Sequence, residues 1–89
     1  MNYVYIIKNE NRELYYGSTN DLKKRFVEHN SNKSFSTKNH NWKLIYYEAY
    51  LSEKDARERE HQLKYHGQAL AQLKRRISDS LSGAKVSAG

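Results

Sequence analysis

Residues 3–17 read YVYIIKNENRELYYG, and the parsing of this stretch decides the fold. Tyr3 to Lys8 is β-branched and aromatic up to its closing lysine, the composition of a strand. Asn9-Glu10-Asn11-Arg12 is a polar turn, and Leu14-Tyr15-Tyr16-Gly17 resumes the strand pattern, so the pair predicts an antiparallel hairpin. In the first strand Tyr3, Tyr5 and Ile7 share one face and Val4 and Ile6 the other.

Beyond the hairpin, Ser18-Thr19-Asn20-Asp21 offers a cluster of N-cap side chains. The spacing predicts a helix from Asp21 to about His29, with Leu22 and Phe26 as its inward pair. Asn30 to Asn41 is polar around a single Phe35 and reads as an exposed loop. Trp42–Tyr50 (WKLIYYEAY) is a third strand. Ser52 with Asp55 approximates a capping box for a helix reaching about His66, with Gly67 as its stop. A last helix is predicted over 68–81, with Leu70, Leu73 and Ile77 on one stripe, and 82–89 reads as a disordered tail. The order β-β-α-β-α-α predicts one α+β domain over 1–81, a three-stranded antiparallel sheet flanked by about three helices.

Composition narrows the function classes. The 89 residues contain no Cys, which excludes a disulfide framework, cysteine nucleophiles and thiolate zinc sites. No apolar run approaches the roughly 20 residues that cross a bilayer, and the N-terminus lacks a secretory pattern, so no membrane partner and a cytoplasmic location are expected. Sixteen Lys and Arg against ten Asp and Glu leave +6, a balance that favours polyanionic partners. Phosphate-binding glycine loops, zinc-hydrolase histidine pairs and nucleophile elbows are all missing from the sequence.

Several residues carry more chemistry than packing requires. Glu60 lies four after Ala56 and three before Leu63, so it shares their inward stripe, while Arg57, Glu58, His61 and Lys64 point elsewhere. An acid aimed at a core must be paired or bind a metal. Arg25 and His29, one turn apart, suit either phosphate contact and proton transfer or a solvated basic face shared with Lys23 and Lys24. Tyr5 and Tyr15 sit on neighbouring strands, as packing residues or as phenols in a site. Gly17 is either a turn glycine or a point of close backbone approach before a helix N-terminus.

Together these residues resemble the GIY-YIG nuclease superfamily. Tyr3-Val4-Tyr5 stands for the first triplet and Tyr15-Tyr16-Gly17 for the second; STNDLKKRFVEHN, NWKLIYYEAY and the helix with Glu60 follow in order. The likeness covers about residues 3–66 and is nearest to the small stand-alone, UPF0213-like or excision-nuclease-like members. Tyr3 stands where the first triplet usually has Gly, and neither Gln68 nor Gln72 is assigned to the Asn that some relatives place after the acid. The resemblance implies a divalent-metal-dependent phosphodiesterase, using Mg²⁺ or Mn²⁺, that cuts one DNA strand per active site. It further implies that Tyr5 or Tyr15 activates water, Arg25 contacts the scissile phosphate, His29 assists, and Glu60 is the metal ligand.

The leading expectation is therefore a DNA endonuclease of low sequence specificity, in DNA repair or processing. Gly17, Lys23, Lys24 and the loop lysines Lys33 and Lys38 are its expected nucleic-acid contacts. Two other classes stand beside it. One is a nucleic-acid-binding module with little catalysis, using the aromatic, Lys-rich loop 33–38; the other is a subunit targeted or activated by a protein partner.

Overall fold

The computed structural model describes residues 1–31 and 40–82. Its elements are β1 (Asn2–Asn9), β2 (Leu14–Thr19), α1 (Leu22–Asn30), β3 (Trp42–Tyr50), α2 (Glu53–Tyr65), α3 (Gly67–Arg76) and α4 (Ser78–Ser82). The strands form one antiparallel sheet in the order β2-β1-β3, an α+β arrangement as expected.

The first strand is central, which explains its unbroken apolar run: it has no solvated face. Val4 and Ile6 pack with Ala56 and Leu63 of α2 and Leu73 of α3. Tyr5 and Ile7 pack on the opposite face with Trp42 and, from α1, Leu22 and Phe26. Helices thus cover both faces, and β2 and β3 are left as edges. The hairpin turn is tied by Asn9, whose side-chain oxygen accepts from the Asn11 and Glu13 amides at 2.9 and 3.0 Å. Arg12 takes the left-handed position of that turn, at φ 66°. At the same end of the sheet, where Trp42 pairs with Asn9, the Asn30 amide brackets the Trp42 backbone, accepting from its N–H at 2.7 Å and donating to its carbonyl at 3.0 Å. Asn30 thereby fixes where β3 begins.

Three boundaries differ from the sequence expectation. Gly17 lies inside β2, which runs on to Thr19, and Asp21 caps α1 by accepting from the Lys24 amide. Gly67 starts α3 instead of stopping α2, because the extended His66 forms the joint between the two helices. The single helix expected over 68–81 is broken at Ile77 into α3 and α4, and Ser82 closes α4 instead of opening a tail. The rest of that tail and most of the loop, including Lys33, Phe35 and Lys38, lie outside the described residues. Among the described residues no helix is long and apolar enough to cross a membrane.

Candidate active site

Tyr5 leaves the middle of β1 toward the α1 side and is 2% exposed. Its register partner on β2 is Gly17. A Cβ at Gly17 would stand 2.4 Å from the Tyr5 Oη and 2.6 Å from its Cζ, so the phenol lies directly over the Gly17 backbone. The glycine is needed for room, not for a left-handed φ, and the close approach at this point is made by Tyr5. The absent side chain lets Tyr5 carry its hydroxyl to the β2 edge.

There it meets α1. His29 is fully buried, and its Nε2 lies 2.7 Å from the Tyr5 Oη. The Tyr15 ring packs edge-on against the same imidazole, with centroids 4.9 Å apart, and against Trp42 at 6.3 Å. The Arg25 guanidinium faces the Tyr5 and Tyr15 phenols and pairs with Glu28 at 3.0 Å. Burial works against its charge, but the bonds to Glu28 and Tyr5 hold its pKa above the usual value.

The same burial tunes the pair that Arg25 faces. Desolvation pushes Tyr5 up to about 12, the Tyr15 and Glu60 charges add to this, and Arg25 opposes it. Desolvation, then the Arg25 charge, pushes His29 down to about 4. At neutral pH the imidazole is therefore neutral and the phenol keeps its proton. A guanidinium can only donate. With Arg25 facing the Tyr5 oxygen, the arrangement that satisfies both groups of the 2.7 Å pair is the His29 tautomer whose bare Nε2 accepts the phenolic hydrogen.

The acid comes from the other face. Ser18, next to Gly17, is in register with Val4 and so points toward α2. Its hydroxyl donates to Oε1 of Glu60 at 2.6 Å, and Lys64 Nζ sits 2.7 Å from Oε2. Glu60 remains 21% exposed. Lys64 also lies 5.9 Å over the Tyr15 ring, so it bridges the acid and the tyrosine cluster. This corrects the expectation that Lys64 points away from Glu60. The two are one turn apart, and the lysine stem folds back along the helix.

The structure thus gathers Tyr5, Tyr15, Arg25, His29 and Glu60 around the β2 edge. It does not gather the lysines with them: Lys23 and Lys24 are exposed on α1. Lys23 rims a groove with Tyr3, Phe26 and Tyr47. Tyr3 itself packs edge-on against Tyr47 of β3, at 5.9 Å. Ser18 and Lys64 join the site without having been singled out from the sequence. The i, i+4 spacing of Glu60 and Lys64 was a usable signal for the second of them.

The donor set suits a hard cation. Among the described residues no group of three or more His, Cys, Asp or Glu could hold a metal ion. A single carboxylate with oxygen neighbours fits an ion that keeps most of its waters and takes substrate oxygens, as Mg²⁺ does.

Comparison with known proteins places the chain. A GIY-YIG catalytic domain matches residues 1–76. A UPF0213 protein of Clostridium perfringens is 38% identical over 66 residues, covering 72% of this chain and 71% of the relative. A UPF0213 protein of Bacillus pumilus is 34% identical over 64 residues, covering 70% of this chain and 65% of the relative. No solved structure matches significantly. A match that runs through all three strands and the first three helices makes the chain a member of the GIY-YIG family, whose domain is that of a nuclease.

Proposed function

We propose that the protein is a divalent-metal-dependent DNA endonuclease that nicks one strand per active site. The observation that carries this reading is the convergence, at one open sheet edge, of a hydrogen-bonded Tyr5–His29 pair with Arg25 and a part-exposed acid. GIY-YIG nucleases generally use divalent metals, and Glu60 is the residue that would hold one here, as Mg²⁺ or Mn²⁺. Such an ion supplies charge for the leaving oxygen and makes a nearby water more acidic.

The protein's own groups do the rest. Arg25 meets charge growing on the phosphate, as a forked donor held in place by Glu28. Tyr5 at about 12 is a poor base if it must ionise first. Its bond to His29 removes that requirement, since the phenol takes a proton from water as it passes its own to Nε2. Tyr15 instead packs its ring edge-on against His29 and serves as wall and phosphate-side hydroxyl.

The domain is small and carries +6, which supports binding through phosphates with weak sequence readout and steep salt dependence. DNA repair or processing is the setting that fits such a substrate. Lys23, Lys24, Lys33 and Lys38 are proposed as backbone contacts. The test is plasmid nicking with Mg²⁺, Mn²⁺ or EDTA, with Glu60→Gln alongside. Nicking that needs metal and disappears in the variant supports the reading. Metal-independent nicking, or nicking retained in Glu60→Gln, sinks it.

A further inference from the structure

Lys64 has no role in the reaction outlined above, yet it occupies a telling place. Its ammonium is 2.7 Å from Oε2 of Glu60, while Ser18 takes Oε1, so both oxygens of the acid are engaged. The same ammonium lies 5.9 Å over the ring of Tyr15, one of the two phenols that Arg25 faces. We propose that Lys64 is an exchangeable counter-ion of Glu60, passing from the carboxylate to a substrate phosphate when a divalent cation binds, so that metal and nucleic acid bind cooperatively. The proposal rests on the reading of Glu60 as metal ligand and extends it to the order of assembly.

The charges favour exchange. Glu28 and Glu60 bring two negative charges and Arg25 and Lys64 two positive ones, so the cluster is balanced as it stands. A divalent cation alone would leave the cluster positive, and a phosphodiester alone would leave it negative. Each ligand therefore lowers the cost of the other, and the coupling must be reciprocal.

The side chain suits the task. Lysine is a compact charge on a flexible stem, and Lys64 is 33% exposed, so its head can leave Glu60 without moving α2. Arg59 on the same helix shows the contrasting design. It grips Glu48 through Nε and Nη2 at 3.0 and 3.1 Å, a fork that cannot be half released. If Lys64 only competed for the carboxylate of its i−4 neighbour, its removal would tighten metal binding equally with and without DNA and leave the coupling unchanged.

The experiment is Mn²⁺ binding to the full chain, followed by the electron spin resonance signal of free Mn²⁺. It is run with and without a saturating phosphorothioate DNA duplex. Without DNA, Lys64→Met should bind Mn²⁺ about tenfold tighter than wild type, and the tightening that DNA produces should shrink by a similar factor. Lys64→Arg should keep most of the coupling. A melting curve for each variant confirms folding, and Lys64→Gln replaces the Met variant if that one does not fold.

Lys64→Met binding Mn²⁺ no tighter than wild type overturns the proposal, as does undetectable binding in both without DNA. Glu60→Gln separates the two levels. If it leaves Mn²⁺ binding intact, the metal-ligand reading itself fails. If it abolishes binding while Lys64→Met changes nothing, the counter-ion proposal fails alone.

Discussion

Two polar clusters, each with a carboxylate, two tyrosines and an arginine among its members, lie at opposite edges of the sheet. On the β3 side, Glu48 accepts from Arg59 through both Nε and Nη2, from the Tyr46 hydroxyl at 2.5 Å and from the Tyr50 hydroxyl. Its oxygens are saturated by donors from its own protein. On the β2 side, Glu60 has one hydroxyl and one lysine, while its arginine and tyrosines stand apart and face a neutral histidine. The same residue types make a closed clamp in one place and an open cleft in the other. Residue identity alone therefore does not mark a site. What marks it is bonding capacity that the fold leaves unspent.

The sharpest way to break this contrast is to neutralise each acid in turn. Glu60→Gln should lower nicking by at least about a hundredfold, the usual cost of one preorganised charged group, with the fold intact. Glu48→Gln should do the reverse. It strands Arg59 in a part-buried place and costs about 2–3 kcal/mol of stability, with activity per folded molecule retained. Urea melts read beside nicking rates decide it. Equal loss of activity in both variants would erase the distinction.

The tyrosines offer the next test, within the open cluster. Tyr5→Phe removes the donor to a fully buried imidazole, and the proton relay with it, and should slow cleavage by about 10²-fold or more. Tyr15→Phe keeps the ring against His29 and Trp42 and should cost far less. Single-turnover rates for the two give the answer, and equal losses would defeat any single-base account.

Much of this was legible in the sequence, for identifiable reasons. The run at residues 3–7 is apolar on both faces because β1 is central, and alternation within it sorted Val4 and Ile6 from Tyr5 and Ile7. Glu60 stood out because an acid on the stripe of Ala56 and Leu63 needs a partner. The break at Ile77 stayed hidden because Leu70, Leu73 and Ile77 keep helical spacing across it and all pack on one core. Ser18 stayed hidden among four capping candidates. Which of them caps depends on how far β2 pairs with β1, a long-range matter that put Ser18 opposite Val4 and left the cap to Asp21. Lys64 was misplaced by counting positions without allowing for a long stem that folds back.

Acid should tell the clusters apart again. His29 titrates at about 4 in the fold and near 6.5 when unfolded, so protonation favours the unfolded chain. Its contribution is complete above about pH 6.5 and is lost as pH falls through 4, an effect of about 3 kcal/mol. Burial alone would raise the Glu48 carboxyl, but Arg59, Tyr46 and Tyr50 hold it below its usual value. Its contribution is present above about 4.5 and fades only below that. Stability measured from pH 8 to 4.5 should therefore decline in wild type and in Glu48→Gln. In His29→Gln, which keeps a neutral acceptor for Tyr5, the decline should be much flatter. An unchanged slope in His29→Gln would mean that another group controls the acid limb.

The smallest expected effect tests the room that makes the open cluster possible. Gly17→Ala places a methyl 2.4 Å from the Tyr5 Oη, and Tyr5 is packed in a cluster with Ile7, Trp42 and, from α1, Leu22 and Phe26. The ring cannot retreat without lengthening its 2.7 Å bond to His29. Overpacking of this kind costs about 1–3 kcal/mol. The relay should suffer more than the fold, because a shift of a few tenths of an ångström that packing absorbs is enough to spoil proton transfer. Gly17→Ala in the Tyr5→Phe background supplies the discriminating measurement. Removing the hydroxyl removes the 2.4 Å clash and leaves the ring-carbon contact at 2.6 Å. Part of the lost stability should therefore return in the double variant while its activity stays at the Tyr5→Phe level. Full additivity of the two stability losses would mean that the glycine serves the strand itself and not the tyrosine above it.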